Sequence, residues 1–194
     1  MTRLVLCRHG EPEESARGRF CGAFDPGLSA RGRAQADLLA AALAGRVPVY
    51  TSPARRALET AARLGSEPVV EHDLRELDFG EAEGLRYEEA AERWPDLYDE
   101  WLQAPTRVSF PGGERFTDFR ARVLAALDDV AAPAVVVTHA GVIRTALAHW
   151  LSIPDEAFFR IDQGYGRVTV VDWHEETPVV RVVNGSPATL APDV

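Results

Sequence analysis

The sequence predicts an α/β fold, specifically a three-layer α/β/α sandwich with a mostly parallel central sheet. The first observation behind this prediction is that short apolar runs alternate with segments whose apolar residues recur at helical spacing. The second is that three predicted strands end in polar side chains just before a helix or loop. The third is that 194 residues with 46% hydrophobic content can form one sizeable core. We therefore predict a single domain over residues 1–194.

The strands are predicted from short apolar runs rich in β-branched residues. The run at 134–137 is the most strongly apolar, which is typical of a strand buried on both faces. Runs after residue 160 alternate between apolar and polar residues and predict closing strands that are partly antiparallel. The predicted strands are 4–6, 47–50, 68–70, 134–137, 160–161, 167–172 and 179–183.

The helices are predicted from apolar spacing and from start signals. Ser29 is the expected N-cap of a helix that runs to about Gly45, and Ser52 with Pro53 is expected to start a second helix. Further helices are predicted within 87–102, from Phe116 to about 130, and over 142–151, whereas 11–25 predicts a long surface loop. The inner face of the first helix is predicted to consist of Leu38, Leu39, Ala42 and Leu43.

Charge and composition limit the classes of partner. The net charge of −9 argues against general binding to nucleic acid or to anionic membranes, so an anionic substrate needs a local positive pocket. No apolar run approaches the ~20 residues of a membrane-spanning helix, and we expect no signal peptide. Two cysteines cannot form a disulfide framework, so we expect a cytoplasmic protein. We expect it to be either a monomer or a homodimer.

Polar side chains follow three of the predicted strands. Arg8 and His9 end the first strand, Ser52 with Arg56 follows the second, and His139 follows the strand at 134–137. Because the carboxyl ends of parallel strands meet at one edge of a sheet, we expect two arginines and two histidines in one crevice. A single histidine after a strand is usually structural, but this set suits a dianion, with imidazole as a covalent nucleophile.

Other chemistries lack their residues. The chain has no glycine-rich loop that ends in Lys-Ser or Lys-Thr, and the residue six positions after Cys7 is Glu13 and not the arginine of a cysteine phosphatase loop. The aromatic residues Trp94, Tyr98 and Trp101 are more typical of core than of a substrate wall. A zinc site is not favoured, because no common zinc spacing relates the available ligands Cys7, His9, Cys21 and His139.

The segment Arg8-His9-Gly10-Glu11 resembles the signature of the histidine phosphatase superfamily, the phosphoglycerate mutase-like proteins. The similarity extends over nearly the whole chain, and its motifs occur in the family's order. The other motifs are Gly22-x-x-Asp25, Leu28-Ser29-x-x-Gly32-x-x-Gln35-Ala36, Ser52-Pro53-x-x-Arg56-Ala57-x-x-Thr60-Ala61, Leu74-Arg75-Glu76-x-Asp78-Phe79-Gly80, Pro111-Gly112-Gly113-Glu114 and Thr138-His139-Ala140-Gly141-Val142-Ile143-Arg144.

The resemblance implies a role for each residue that matches a motif. His9 is expected to be the nucleophile that takes the phosphoryl group, and Glu76 the general acid that protonates the leaving oxygen. Arg8, Arg56 and His139 are expected to bind the non-bridging oxygens. No metal and no cofactor are implied, because the arginines neutralise the phosphoryl charge. The expected phosphate or substrate contacts are Ser15, Cys21, Gly22 and Ala140.

The resemblance implies a phosphomonoesterase that acts on a small phosphorylated metabolite through a phosphohistidine. Length and the Pro-Gly-Gly-Glu turn most resemble the small phosphatases of the α-ribazole-5′-phosphate type. One alternative is a cofactor-dependent phosphoglycerate mutase, although the predicted substrate-covering helical region at 85–110 is short for one. An alternative of another class is a non-catalytic member that senses phosphate or binds a partner.

Three positions depart from the family pattern. Pro12 stands where many members have Thr, and Ser15 where many have Asn, so a hydrogen bond to phosphate is expected to be shortened or lost. Arg115 stands where Ser often follows the Gly-Gly-Glu turn, which would favour a substrate with a second negative group. A ligand trapped beside Arg86, Trp94, Trp101 and Arg115 would do most to identify the substrate.

Overall fold

The computed structural model describes residues 2–45, 47–65 and 67–190, so the predicted domain bounds of 1–194 extend beyond the described residues at both ends. Within them, one six-stranded sheet runs through the molecule. Its strands are β1 (Thr2–Arg8), β2 (Val49–Thr51), β3 (Val69–Val70), β4 (Ala134–Thr138), β5 (Val168–His174) and β6 (Thr177–Gly185). The order across the sheet is β3-β2-β4-β1-β5-β6.

The pairing confirms a mostly parallel sheet with an antiparallel edge. The strands β3, β2, β4 and β1 pair in parallel, whereas β5 and β6 are antiparallel to their neighbours. The α-helices that accompany the sheet are α1 (Ala30–Leu43), α2 (Arg55–Ala61), α3 (Tyr87–Arg93), α4 (Pro95–Gln103), α5 (Phe116–Asp128) and α6 (Ala140–Trp150).

Strand β1 shows directly how the three layers form. Because successive side chains of a strand point to opposite faces, its apolar residues divide between two cores. Leu4 and Leu6 pack in a cluster with residues of α5 and α6, and Val5 and Cys7 pack in a second cluster with residues of α1 and α2. The helices therefore cover both faces of the sheet, as the α/β/α prediction requires.

A third, smaller cluster joins α3 and α4 to the loop that follows β1. Its centre is Phe20, which is almost fully buried and lies edge-to-face against Phe79, Tyr87 and Phe110. The side chains of Trp94, Tyr98 and Trp101, which we predicted to be core, pack against this cluster and are partly buried. The helical region at 85–110 is thus attached to the main body through aromatic contacts.

One prediction about the inner face of the first helix is wrong. Leu38 is 60% exposed, because the buried stripe of α1 runs through Gly32, Ala36, Leu39 and Leu43, at intervals of three and four residues that leave Leu38 to one side. Ser29 does cap α1, and its hydroxyl accepts a hydrogen bond from Gly32 N at 2.9 Å.

Ser52 does not cap α2, which begins at Arg55 with Ala54 as its N-cap. The hydroxyl oxygen of Ser52 instead lies 2.7 Å from His139 Nε2, beyond the end of β4. The hydroxyl therefore bonds to this imidazole and does not cap the helix. Arg56 does lie in the first turn of the helix, as predicted.

Two further segments differ from their predicted form. Residues 160–161 are not a strand, because Arg160 ends a 3₁₀-helix that runs over Asp155–Arg160. Residues 11–25 are not simply a surface loop, since Pro12, Ala16 and Phe20 are buried and single bridges join Pro12 to Leu28 and Phe20 to Glu83. Across the described ranges, every helix is too short or too polar to cross a lipid bilayer.

One buried carboxylate ties the antiparallel edge to β1. Asp172 on β5 lies opposite Arg3 of β1, whose Nε donates to Oδ1 at 2.5 Å and whose Nη2 donates to Oδ2 at 3.0 Å. Arg181 of β6 donates from Nε to Oδ2 at 2.9 Å. These hydrogen bonds with the two guanidinium groups lower the pKa of Asp172 from 3.8 to about 2.

We expect Asp172→Asn to lower the free energy of unfolding at neutral pH by about 2 kcal/mol. The reason is that folding lowers the pKa of this carboxyl from 3.8 to about 2, and asparagine cannot provide the corresponding stability. A carboxyl with a depressed pKa contributes stability above its unfolded pKa. The deficit should therefore shrink as the pH falls from about 4 to about 2, where the wild-type carboxyl also becomes protonated.

Urea unfolding at a series of pH values measures this difference, with the exposed helical substitution Asp99→Asn as the matched control. A deficit that persists unchanged at the acid end would show that the effect arises from packing and not from charge.

Candidate active site

The ends of β1, β2 and β4 meet at one edge of the sheet, as predicted. The residues just beyond the strands continue the parallel pairing, because His9 N donates to Thr138 O at 3.0 Å and Ser52 N donates to Val137 O at 3.0 Å. The histidines that follow β1 and β4 therefore lie side by side, with ring centroids 5.1 Å apart. Arg56, from the first turn of α2, contacts both rings.

The imidazole of His9 is held in one orientation. Its Nδ1 lies 2.7 Å from the carbonyl oxygen of Gly10, and Arg56 Nε donates to its Nε2 at 3.3 Å. A carbonyl can only accept, so these partners assign the proton to Nδ1 and the lone pair to Nε2. This is the arrangement that a histidine nucleophile requires.

The electrostatic surroundings keep this ring neutral. His9 is 4% exposed, and burial together with the charges of Arg56 and Arg8 lowers its pKa well below its usual value. The pKa of His139 is lowered in the same way by burial, then by Arg56. Because a protonated imidazole has no lone pair for attack, the depressed pKa preserves the reactive form.

The guanidinium of Arg56 is 1% exposed and joins the two histidines. Its Nη2 contacts His139 Nδ1 at 3.3 Å and donates to the carbonyl of Cys21 at 2.8 Å, while Nη1 donates to the carbonyl of Phe24 at 3.1 Å. The nearest carboxylate that pairs with it, Asp25, is 3.6 Å away and half exposed. The loop after β1 thus wraps around this cation with its backbone carbonyls.

Glu76 is held at the beginning of α6. Gly141 N donates to Glu76 Oε2 at 3.0 Å, and Leu77 N donates to Oε1 at 3.1 Å. A Cβ atom on residue 141 would lie 2.1 Å from Glu76 Oε1, so only glycine permits this approach. The backbone that carries Glu76 is fixed from behind, because Arg122 donates to the carbonyl of Glu76 at 3.1 Å.

A cavity opens over these groups, and its lining divides into two chemical halves. Arg8, His9, Arg56 and Glu76 form the polar end, and Glu76 is the one carboxylate among the described lining residues. The other end consists of aromatic side chains that contact one another, and the guanidinium of Arg144 lies 5.6 Å from the centroid of one of them, Phe159. These side chains are Phe20, Phe79, Tyr87, Trp101 and Phe159. Such a cavity accommodates an anionic group at one end and an apolar group at the other.

The predicted contact residues fall in different places. Cys21 and Ala140 line the cavity, and the carbonyl of Gly22 accepts from Arg56 Nη2 at 3.3 Å. His139 is buried outside the lining and reaches the site through Arg56. Ser15 is exposed in the turn Glu14–Ala16, and it is its neighbour Ala16 that lines the cavity.

The other residues considered near the substrate also fall in different places. Trp101 lines the cavity, so it belongs both to the aromatic cluster and to the wall. Arg86 and Arg115 are exposed, and neither they nor Trp94 line the cavity. Arg115 therefore does not supply the additional cation that its position in the sequence suggested.

The structure adds cavity residues that the sequence analysis missed. Arg144 lies one helical turn after Ala140 on α6, and its Nε donates to the carbonyl of Ile161 at 2.7 Å. The helical spacing from Ala140 could have revealed it. Arg19 and Tyr165 also line the cavity, but they come from irregular segments whose path no periodicity predicts.

Three or more His, Cys, Asp or Glu side chains do not gather into a metal-binding group anywhere within the described ranges. The thiol of Cys7 is buried in the sheet, and burial raises its pKa. Cys21 lies at the cavity, where burial raises its pKa to about 11, so its thiol is neutral at physiological pH.

Known proteins resemble this chain in both sequence and fold. Residues 4–186 match the model of the histidine phosphatase superfamily (branch 1). The chain is 36% identical over 196 residues to the bifunctional protein Rv2228c of Mycobacterium tuberculosis, covering 94% of this chain and 54% of that protein, so it spans about half of that relative's length. It is 32% identical over 195 residues to phosphoserine phosphatase 1 of Hydrogenobacter thermophilus, with 95% and 92% covered.

Among solved structures, the alpha-ribazole phosphatase from Shigella flexneri superposes with a TM-score of 0.83 at 26% identity, and the match covers 94% of this chain and 96% of that one. The family match spans most of the chain and includes each strand end described above. The chain therefore belongs to the histidine phosphatase superfamily, branch 1.

Proposed function

We propose that this protein is a phosphoric monoester hydrolase that works through a phosphohistidine on His9. The observation that carries the proposal is the fixed, neutral His9 ring, whose Nε2 lone pair faces the Arg56 Nε at 3.3 Å. A dianion bound by that guanidinium would place its phosphorus next to the nucleophile. Binding alone would require neither the neutral imidazole nor a carboxyl group at the same cavity.

In the first step His9 Nε2 attacks phosphorus, and the bond from phosphorus to the alcohol oxygen breaks. Arg8 and Arg56 bind the non-bridging oxygens, and His139 contacts Arg56 Nη2 at 3.3 Å from the buried side. The carboxylic acid of Glu76 gives its proton to the leaving oxygen. In the second step water attacks the phosphohistidine, and the Glu76 carboxylate takes a proton from that water. The N–P bond breaks, which releases inorganic phosphate and restores neutral His9.

The aromatic end of the cavity supports an alcohol with a flat apolar part. Tyr87 and Phe159 are 40% and 38% exposed, and their rings are available at the rim. α-Ribazole 5′-phosphate, whose alcohol carries a heteroaromatic base, fits this description and is the substrate type that we favour. The ammonium group of phosphoserine would find Glu76 as the only carboxylate of the described lining.

We expect His9→Ala to lower the rate of phosphate release by at least about 10³-fold, because water must then replace the positioned nucleophile. The measurement is inorganic phosphate released from a panel of phosphomonoesters that includes α-ribazole 5′-phosphate and phosphoserine. His149→Ala, an exposed histidine on the same helix as Gly141, is the matched control.

Equal rates for wild type and His9→Ala would refute the enzymatic proposal and favour a phosphate-binding protein. A mutase would show isomerisation of phosphoglycerate that depends on 2,3-bisphosphoglycerate and little phosphate release without it. Incubation of the wild type with substrate, followed by an alkaline quench, should retain phosphate on the protein, because phosphohistidine is stable to base.

We expect Glu76→Gln to slow the first step by about 10²–10⁴-fold for alkyl phosphates and far less for 4-nitrophenyl phosphate, whose leaving oxygen needs little protonation. The measurement is alcohol release in a single turnover, which isolates this step from hydrolysis of the phosphohistidine. Glu92→Gln, exposed on α3, is the control. Equal losses for both leaving groups would assign Glu76 to a role other than proton donation.

We expect the rings of His9 and His139 to remain neutral when the pH is lowered from about 7.5 to about 5.5. Their pKa values are depressed, so each ring gains a second proton only at a more acid pH. Nitrogen-15 chemical shifts of the imidazoles measure this directly, with exposed His72 and His149 as references in the same spectra. Protonation of His9 near pH 6.5 would contradict the electrostatic account of the nucleophile.

A further inference from the structure

The guanidinium of Arg8 lacks the acidic partner that usually orients an arginine. Within the described chain no carboxylate lies at ion-pair distance from Arg8, although thirteen other arginine–carboxylate pairs do form. One of its terminal nitrogens, Nη1, donates to the carbonyl of Gln163, and its buried Nε has no hydrogen-bond partner. Something other than a charge pair must hold this flexible side chain at the cavity.

The ring of Tyr165 lies directly against this guanidinium. Arg8 Cζ is 3.7 Å from the centroid of the ring, well within the range of a cation–π contact. The same ring lies 5.6 Å from the imidazole of His9 and lines the cavity. A single aromatic side chain therefore lies against both Arg8, which ends β1, and His9, which follows it.

The backbone around Tyr165 is bound to the end of β1. Arg8 N donates to Arg167 O at 3.1 Å, and Gly166 N donates to the carbonyls of Arg8 and His9 at 3.2 and 3.1 Å. Gly166 has a φ of +65°, and a Cβ atom on it would lie 2.7 Å from Gln35 Cβ, so this turn requires glycine. The backbone immediately after Tyr165 is thus fixed relative to Arg8 and His9.

We propose that Tyr165 is a positioning residue, whose ring face holds the Arg8 guanidinium in the orientation that receives the phosphoryl group. The proposal rests on the proposed function in one respect, namely that Arg8 binds phosphoryl oxygens. It assigns the effect to the face of the ring and not to the hydroxyl. A cation held by a π-face keeps its N–H groups available, whereas a carboxylate partner would accept from them and repel the incoming dianion.

Tyr165 tolerates replacement better than a core residue does. It is half-buried and borders a second cavity, lined by Glu11, Arg17 and Arg31, as well as the catalytic one. A smaller side chain therefore opens onto existing space and displaces no packed neighbour. Tyr165→Phe keeps the ring face and removes the hydroxyl, and Tyr165→Leu removes the face.

The experiment is calorimetric titration of the full chain with inorganic phosphate and with orthovanadate. We expect Tyr165→Leu to weaken the binding of both anions about tenfold, as loss of a desolvated cation–π contact would do, and Tyr165→Phe to remain within about twofold of wild type. In turnover assays the loss should appear mainly in KM, because the nucleophile and the acid are unchanged. Tyr98→Leu, the same substitution outside the cavity lining, should bind as wild type does.

An Arg8→Met background separates positioning from general structure. If Tyr165 acts through Arg8, Tyr165→Leu should cost no further affinity once Arg8 is gone. A loss that persists undiminished in that background overturns the proposal, as does equal weakening by Tyr165→Phe and Tyr165→Leu. Unchanged phosphate binding by Tyr165→Leu overturns it as well. Should Tyr165→Leu fail to fold by its thermal transition, Tyr165→Met undergoes the same tests.

The two proposals fail in different ways. A wild-type protein that binds phosphate but releases none from any phosphomonoester refutes the proposed hydrolase, whereas the affinity differences among the Tyr165 variants still test the positioning role. Conversely, a hydrolase whose Tyr165→Leu variant binds phosphate normally leaves the proposed function intact and refutes the positioning role.

Discussion

The site depends on one buried cation. Arg56 is placed between two imidazoles, and backbone carbonyls accept from its guanidinium. Among the residues that the structure describes, its one ion-pair partner is a half-exposed aspartate at 3.6 Å. A buried charge without a close counter-ion is costly, and it makes a second positive charge beside it more costly still. Both histidines therefore stay neutral, and the site as a whole favours an anion. The same electrostatic cost thus favours both a neutral His9 and the binding of a dianion.

The sheet order explains why this cation can be surrounded so completely. β4 lies between β1 and β2, so the two histidines follow adjacent strands and α2 delivers Arg56 from the third. The remaining side is closed by the loop after β1, which is itself fixed by Glu83: its carboxylate accepts from Gly22 N and Phe24 N at 3.1 and 2.8 Å. A scaffold of paired strands and a single carboxylate thereby orders the carbonyls that Arg56 needs.

How much of the site the sequence could predict follows from which contacts are local to regular elements. His9, Arg56 and His139 were predictable because parallel strands bring their carboxyl ends to one edge, whatever the loops do. The contact of Ser52 with His139 was not, since its hydroxyl could satisfy a helix start or a neighbouring imidazole, and only the tertiary structure decides between them. Tyr165 was not predictable either, because its place depends on a turn whose partners lie about 155 residues away in the sequence.

The glycines of the motifs explain why the chemistry is attached to such short sequence patterns. A Cβ atom on Gly10 would lie 2.3 Å from the carbonyl oxygen of Gly32, and one on Gly141 would lie 2.1 Å from a Glu76 oxygen. The first close approach lets the Gly10 carbonyl stay where it fixes the His9 tautomer, and the second lets the carboxyl group reach the start of α6. A larger residue at position 10 would displace the carbonyl that orients His9, and a larger residue at position 141 would displace the Glu76 carboxyl from the start of α6.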